Sequence, residues 1–328
     1  MKRRDFITLL GGAAAAWPLG ARAQQAGVAV LGYLDSGPPN LDVYPGRQAA
    51  FRQSLNGAGF FEGRNLAIEY RWAEGHGERL AGLAAELVRR PVSAIYTIGV
   101  AAALAAKEAT RAIPIIFTTG GDPVQLGLVA SFNRPGGNLT GVTQIGNVLL
   151  PKQLDVLHEL VPAADTVAFL LNPTNPNSEL DKRNLEAAAA LTGQKILTAG
   201  AASVREIDAA FALMAQRRVG VLLVQADPLL NSRRDQIAGQ ALRHAMPAMA
   251  SYREFALAGG LVSYGADAED SWRQQGAYVA RVLKGEKPAD LPVIEASKLE
   301  LVINLTTART IDLTVPPLLT ARADRVLE

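Results

Sequence analysis

Polar residues and glycines gather at six places along this chain, each directly after a short apolar run. The first three are Asp35-Ser36-Gly37-Pro38-Pro39, Thr97-Ile98-Gly99-Val100-Ala101 and Thr118-Thr119-Gly120-Gly121-Asp122-Pro123. The later three are Asn172-Pro173-Thr174-Asn175-Pro176-Asn177-Ser178, Gln225-Ala226-Asp227-Pro228 and Ser251-Tyr252-Arg253-Glu254. Gly99 precedes a predicted helix, and backbone N–H groups at a helix N-terminus can hold a carboxylate or a phosphate. Singly, each cluster has an ordinary explanation: Asp-Pro and Asn-Pro start turns, and Asn or Ser caps helices. Jointly they place polar side chains after the strand-like runs of both halves, the pattern of a binding cleft.

Bond-breaking chemistry fits poorly. The three histidines are His76, His158 and His244. His158 falls in an amphipathic helix and His244 ends another, without a nucleophile or metal ligand at a recognisable spacing, so packing or surface roles are expected. The chain has no G-x-S-x-G elbow, P-loop or H-E-x-x-H. Gly259-Gly260 closes an apolar helical stretch and reads as a C-cap. No catalysis, metal or cofactor is expected.

The elements that must position these clusters alternate. Val28 to Leu34, Leu66 to Trp72, Ala94 to Ile98 and Ile113 to Phe117 read as strands. Helical stretches separate them, at Pro45 to Leu55, Glu78 to Val88 and Ala101 to Ala109. The rhythm restarts with Leu150, Leu154, Leu157 and Val161 on one helix face. Strands at Val167 to Leu171, Lys195 to Thr198, Val219 to Val224 and Ala248 to Ala250 follow, with helices between. Ser203-Val204-Arg205-Glu206 has the form of a capping box. Strands apolar throughout suit parallel sheets covered on both faces, and repeated strand–helix alternation predicts a doubly wound α/β fold. The turn-rich stretch Asn133 to Asn138 separates the halves. Two lobes are expected: 27–142 with 264–289, and 143–263 with 290–328, with ligand between them outside the carboxyl ends of the strands.

Residues 1–23 read as an export signal. Lys2, Arg3 and Arg4 form a basic start, Phe6 to Leu19 an apolar stretch, and Ala21-Arg22-Ala23 a cleavage site. The paired arginines resemble the twin-arginine type. Glycines and Pro18 interrupt the apolar stretch, which is shorter than the roughly 18 residues of a membrane span. This segment holds four of the 33 basic residues and one of the 31 acidic ones, leaving 29 and 30, a net charge of −1. No basic stripe for nucleic acid or an anionic membrane remains. The chain has no cysteine, which excludes disulfides, thiolate catalysis and a lipid anchor on an N-terminal cysteine. A free periplasmic monomer is expected.

The segment Gly121 to Ser131, running on through Arg134-Pro135-Gly136-Gly137-Asn138-Leu139-Thr140-Gly141-Val142, resembles the signature of one family. So do Asn172 to Pro176, Tyr252 to Gly265 and Leu301 to Ala308. The family is that of ABC-importer solute-binding proteins, in the group that includes tryptophan-type aromatic amino-acid binders. The resemblance implies a type I periplasmic-binding-protein fold, whose lobes, joined by three crossings, close over a small ligand. It implies permease and ATPase subunits in separate chains. Carried over by position, Ser36, Gly99, Val100 and Thr119 would serve the anionic end of a ligand, and Gly37 and Asp122 would also belong to the ligand-binding set. Asp227 and Glu254 would serve the cationic end. Tyr252 and Tyr264 would wall the pocket, and Asn172 and Asn177 would donate or accept. The family commonly has a small hydroxyl residue after the glycine, where this chain has Val100, which leaves room for a less polar ligand. A sensor presenting ligand to a chemoreceptor or kinase would share fold and pocket. A ligand-responsive repressor would need an N-terminal helix-turn-helix, where this chain has an export signal.

Overall fold

The computed structural model describes residues 28–39, 45–144 and 146–328, so the expected export signal lies outside the described residues. The chain alternates as its apolar periodicity predicts. It runs β1 (Ala29–Asp35), α1 (Pro45–Gly57), β2 (Leu66–Trp72), α2 (Leu80–Val88), β3 (Ala94–Ile98), α3 (Val100–Ala109), β4 (Ile115–Thr119) and β5 (Leu139–Thr143). It then crosses to α4 (Gly146–Leu160), β6 (Thr166–Leu171), α5 (Ser178–Thr192), β7 (Lys195–Gly200), α6 (Val204–Gln216) and β8 (Val221–Val224). Next come α7 (Pro228–Ser232), α8 (Arg234–Arg243), β9 (Ala248–Ala250), α9 (Arg253–Leu257) and β10 (Val262–Ala266). The last part holds α10 (Ala268–Leu283), β11 (Ile294–Glu295), β12 (Leu299–Asn304), α11 (Leu305–Thr310), α12 (Pro317–Arg322) and β13 (Arg325–Leu327).

Two sheets result. The first has strand order β11-β5-β4-β3-β1-β2, and the second β13-β12-β10-β9-β8-β6-β7. Every pairing is parallel except β10 with β12, an antiparallel pair in an otherwise parallel second sheet. Strands β3, β4 and β8 are buried at every position, as apolar runs covered by helices on both faces must be. In the first sheet the chain order reverses between β1 and β3, and in the second between β6 and β8. These are the topological switch points where open α/β sheets bind ligands. Asp35 ends β1, and Gly99, Asn172 and Asp227 lie in the loops that leave β3, β6 and β8.

The crossings differ from the expected boundaries. β5 pairs with β4 in the first sheet, so the turn at 133–138 is internal to lobe 1. Tyr264, expected in lobe 1, sits on β10 and pairs within the second sheet. Ile294 and Glu295, expected in lobe 2, pair with β5 in the first. The chain therefore crosses after Thr143, between Ala266 and Ala268, and between Glu295 and Leu299. A two-residue strand such as β11 has too little periodicity to be read from sequence.

The caps behave as the sequence implies. Gly259 has φ 95° just beyond α9, and the Ser203 hydroxyl accepts from Glu206 N at 3.3 Å. The Glu206 carboxylate in turn accepts from Ala202 N at 2.7 Å. Ser203→Ala is expected to cost about 1 kcal/mol, read as a lower urea midpoint.

Candidate functional site

The switch points of the two sheets face each other across a cleft lined by residues of both lobes, the concave kind of site that small molecules use. The lobes are closed on it. Pro228 of lobe 2 rests against lobe 1, where a β-carbon on Gly37 or Gly99 would lie 3.2 Å from its ring. Gly121 faces Asn177 in the same way, and a β-carbon there would lie 2.5 Å from its side-chain oxygen.

Lobe 1 presents the start of α3. Gly99 precedes it with φ 92° and ψ 152°, supplying no side-chain cap. The Ser36 hydroxyl accepts from Ala102 N at 3.2 Å, and the Gly99 carbonyl from Ala103 N at 3.1 Å. Ser36 is thus tied up holding α3. Val100, Thr119 and the backbone of Gly120-Gly121 line the cleft, although the Thr119 hydroxyl donates to Gly121 O at 3.0 Å.

Lobe 2 presents an acid that sequence reasoning missed. Asp181, in the first turn of α5, is buried and lines the cleft. Its carboxylate accepts from Gln225 Nε2 at 2.8 Å and from the Asn177 side-chain amide. Burial pushes this carboxyl up to about 7 against those hydrogen bonds, with the Asp227 charge adding to the rise. Beside it, Asn177 Oδ1 is buried without a hydrogen-bond partner. An acceptor in that state costs free energy until a donor arrives.

Asp227 is placed differently from the expectation. It caps α7 by accepting from Leu230 N at 3.0 Å and accepts from the Asn172 and Asn175 amides at 3.2 and 3.0 Å. Those bonds occupy both of its oxygens, and it stands behind the cleft surface, as does Asn172. Burial raises its carboxyl despite those bonds. Glu254 is also turned from the ligand space, held by Arg47 of lobe 1 through two bonds of 2.7 Å. Burial drives its carboxyl up, but the Arg47 charge and hydrogen bonds bring it below the usual range.

Tyr252 does wall the cleft. Its hydroxyl donates to Gln144 at the first crossing, and the Arg47 guanidinium lies 4.4 Å from its ring centre. Tyr264 does not; it packs against the core of lobe 2. Asp122 caps a turn, accepting from Val124 N at 2.8 Å and Gln125 N at 3.2 Å. Trp272 of α10, not singled out from sequence, lines the cleft with Ile98, Val100 and Leu150, its ring edge-on to Phe51 at 6.2 Å. Arg47 and Asp35 line the cleft too, and Asp35 is fully buried.

Among the described residues no group of acidic, histidine or cysteine side chains could hold a metal, and no helix is long and apolar enough to cross a membrane. Two α/β lobes joined by three crossings and closed over a polar cleft define a binding protein of the type I periplasmic class.

The particular family follows from comparison with known proteins. Residues 36–327 match the model of the ABC transporter substrate binding protein family, and the chain belongs to that family. It is 28% identical over 275 residues to a tyrosine-binding protein of Clostridioides difficile (strain R20291), covering 84% of this chain and 78% of that one. A solved conserved domain protein of Vibrio cholerae O1 biovar eltor superposes with TM-score 0.83 at 26% identity, covering 91% and 99% of the two chains. A solved ABC domain of Streptococcus pneumoniae in complex with L-Trp superposes with TM-score 0.79 at 27% identity, covering 90% and 100%.

Proposed function

We propose that this protein is the extracytoplasmic receptor of an ABC importer, capturing a free amino acid with an apolar, aromatic side chain and delivering it to a separate permease. The observation that carries the ligand class is Asp181 beside the unpartnered Asn177 Oδ1. A carboxylate and a lone acceptor, both buried, ask for a group rich in donors, and an ammonium supplies three. The first turn of α3 on the opposite lobe offers the complementary end for a carboxylate, through the N–H groups of Val100 and Ala101. Trp272, Ile98, Val100 and Leu150 then enclose the side chain. The relatives described as tyrosine-binding and as an L-Trp complex support the same class. Binding drives closure because the two charged ends are held by different lobes, so the full set of contacts exists only when they meet. The export signal of residues 1–23 would deliver the protein to the periplasm as a free monomer.

The test uses mature protein stripped of ligand by unfolding and refolding. L-tryptophan or L-tyrosine should raise the thermal midpoint. Tryptamine, which lacks the carboxylate, and indole-3-propionate, which lacks the ammonium, should each bind at least thirtyfold more weakly than L-tryptophan, since each leaves buried polar groups unpaired. No midpoint rise with any amino acid would remove this reading.

A further inference from the structure

On the flank of the cleft nearest the crossings, helix α9 of lobe 2 reaches lobe 1 through two neighbouring residues of opposite charge. Glu254 takes both ends of the Arg47 guanidinium, with side-chain exposures of 17% and 7%. Arg253 bonds Glu269 at the start of α10, and its other nitrogen lies 3.8 Å from Glu300 of its own lobe. Lobe 1 therefore contributes one cation and one anion, and lobe 2 the reverse. Gly46 leaves the space for this, because a β-carbon there would lie 2.2 Å from the Glu269 carboxylate. Neither Arg253 nor Glu269 borders the ligand space.

We propose that these two crossed pairs form an ionic clasp that sets how readily the lobes close, and thereby scales affinity for every ligand alike. The inference rests on the hinge-closing reading above. In an open form all four groups are hydrated. Closing strips most of that water from Arg47 and Glu254, which must therefore meet each other, while Arg253 and Glu269 keep side-chain exposures of 20% and 37% and add a weaker, salt-screened attraction. The crossed polarity also fixes the register in which the lobes meet, because a slip along α9 would set like charges together. Arg253 and Glu269 are positioning residues here: they act on the ligand through lobe geometry.

The chain has no cysteine, so spin labels can be placed at Glu78→Cys and Asp235→Cys, whose native side chains are 76% and 73% exposed on opposite lobes. Distance distributions are recorded on the full mature chain, ligand-free and with L-tryptophan. Glu269→Gln and Arg253→Gln should each move the ligand-free distribution to longer distances. Each should weaken L-tryptophan and L-tyrosine by the same factor, about two- to fivefold. The double variant should be no worse than either single one. Sodium chloride at 0.5 M, where the screening length falls to about 4 Å, should lengthen the wild-type distance and move the double variant less, since it keeps only the more buried Arg47–Glu254 pair. Distributions that overlay wild type, or a loss confined to one ligand, would overturn the clasp. If L-tryptophan fails to shorten the wild-type distance, the importer reading falls for that ligand, while the ligand-free comparison still decides the clasp.

Discussion

Asp181→Asn is expected to abolish tight binding of ammonium-bearing ligands while stabilising the empty protein above neutral pH. Removing one partner of a buried charge pair costs about 2–5 kcal/mol of binding, from thirtyfold to several thousandfold. The empty cleft behaves oppositely because Asp181 titrates at about 7, well above the roughly 3.9 of an unfolded aspartate. A carboxyl raised on folding makes the native state bind the extra proton. Its contribution to stability is therefore present below the unfolded value and is lost as pH rises through the folded one. The full shift corresponds to about 4 kcal/mol at most, less any water admitted by the cleft. Asn cannot ionise, so the variant should melt a few degrees higher than wild type at pH 8, with the gain shrinking toward zero below about pH 4.

The same titration governs binding. An ammonium prefers the ionised carboxylate, so affinity should rise with pH up to about 7 and flatten above it. The slope approaches tenfold per pH unit on the acid side. Calorimetry in two buffers of different ionisation enthalpy should detect proton release on binding at pH 6 and none at pH 8.5. Asp181→Asn should erase both effects. A variant that binds L-tryptophan with wild-type affinity and wild-type pH dependence would exclude Asp181 from the site.

Asp181 also shows where sequence reading stops. The strands were legible because β3, β4 and β8 are apolar runs buried on both faces, and their loops then had to hold the ligand. That logic placed Gly99, Val100, Thr119, Asn177 and Tyr252 at the cleft. It could not separate cleft-facing polar groups from those supporting them. Asp227 precedes Pro228 at the expected strand end, yet its oxygens serve a helix cap and two amides. Asp181 looks from sequence like an acid favouring a helix start. Only folding shows Gln225 and Asn177 turning it toward the ligand space. Arg47 and Trp272 were hidden for another reason. They lie on α1 and α10, more than 200 residues apart in sequence, and become neighbours of the cleft only because α10 returns to lobe 1 and packs on α1. Periodicity reports which face of a helix is buried, and is silent on what buries it.

Gly99→Ala should produce the second large effect, by two separable routes. With φ 92° and ψ 152°, Gly99 occupies a region essentially reserved for glycine, where a side chain costs about 1–3 kcal/mol. Its new β-carbon would also lie 2.9 Å from the Ser36 hydroxyl, pushing that oxygen off Ala102 N and loosening the start of α3. The second route crosses the cleft. The same carbon would stand 3.2 Å from Cγ of Pro228, tighter than most packed carbons, so Pro228 must give by a few tenths of an ångström just where lobe 2 closes on the ligand. Affinity should fall at least a hundredfold for every amino acid tested, with the thermal midpoint of the empty protein lowered as well. Gly37→Ala separates the routes: its β-carbon would also meet Pro228 at 3.2 Å, and its backbone is not left-handed. A mild loss of affinity with an unchanged midpoint is expected there, since only the wedge remains. Wild-type binding by Gly99→Ala would mean that neither the backbone turn nor the approach of Pro228 matters to capture. The glycine would then be a conformational requirement of lobe 1 alone.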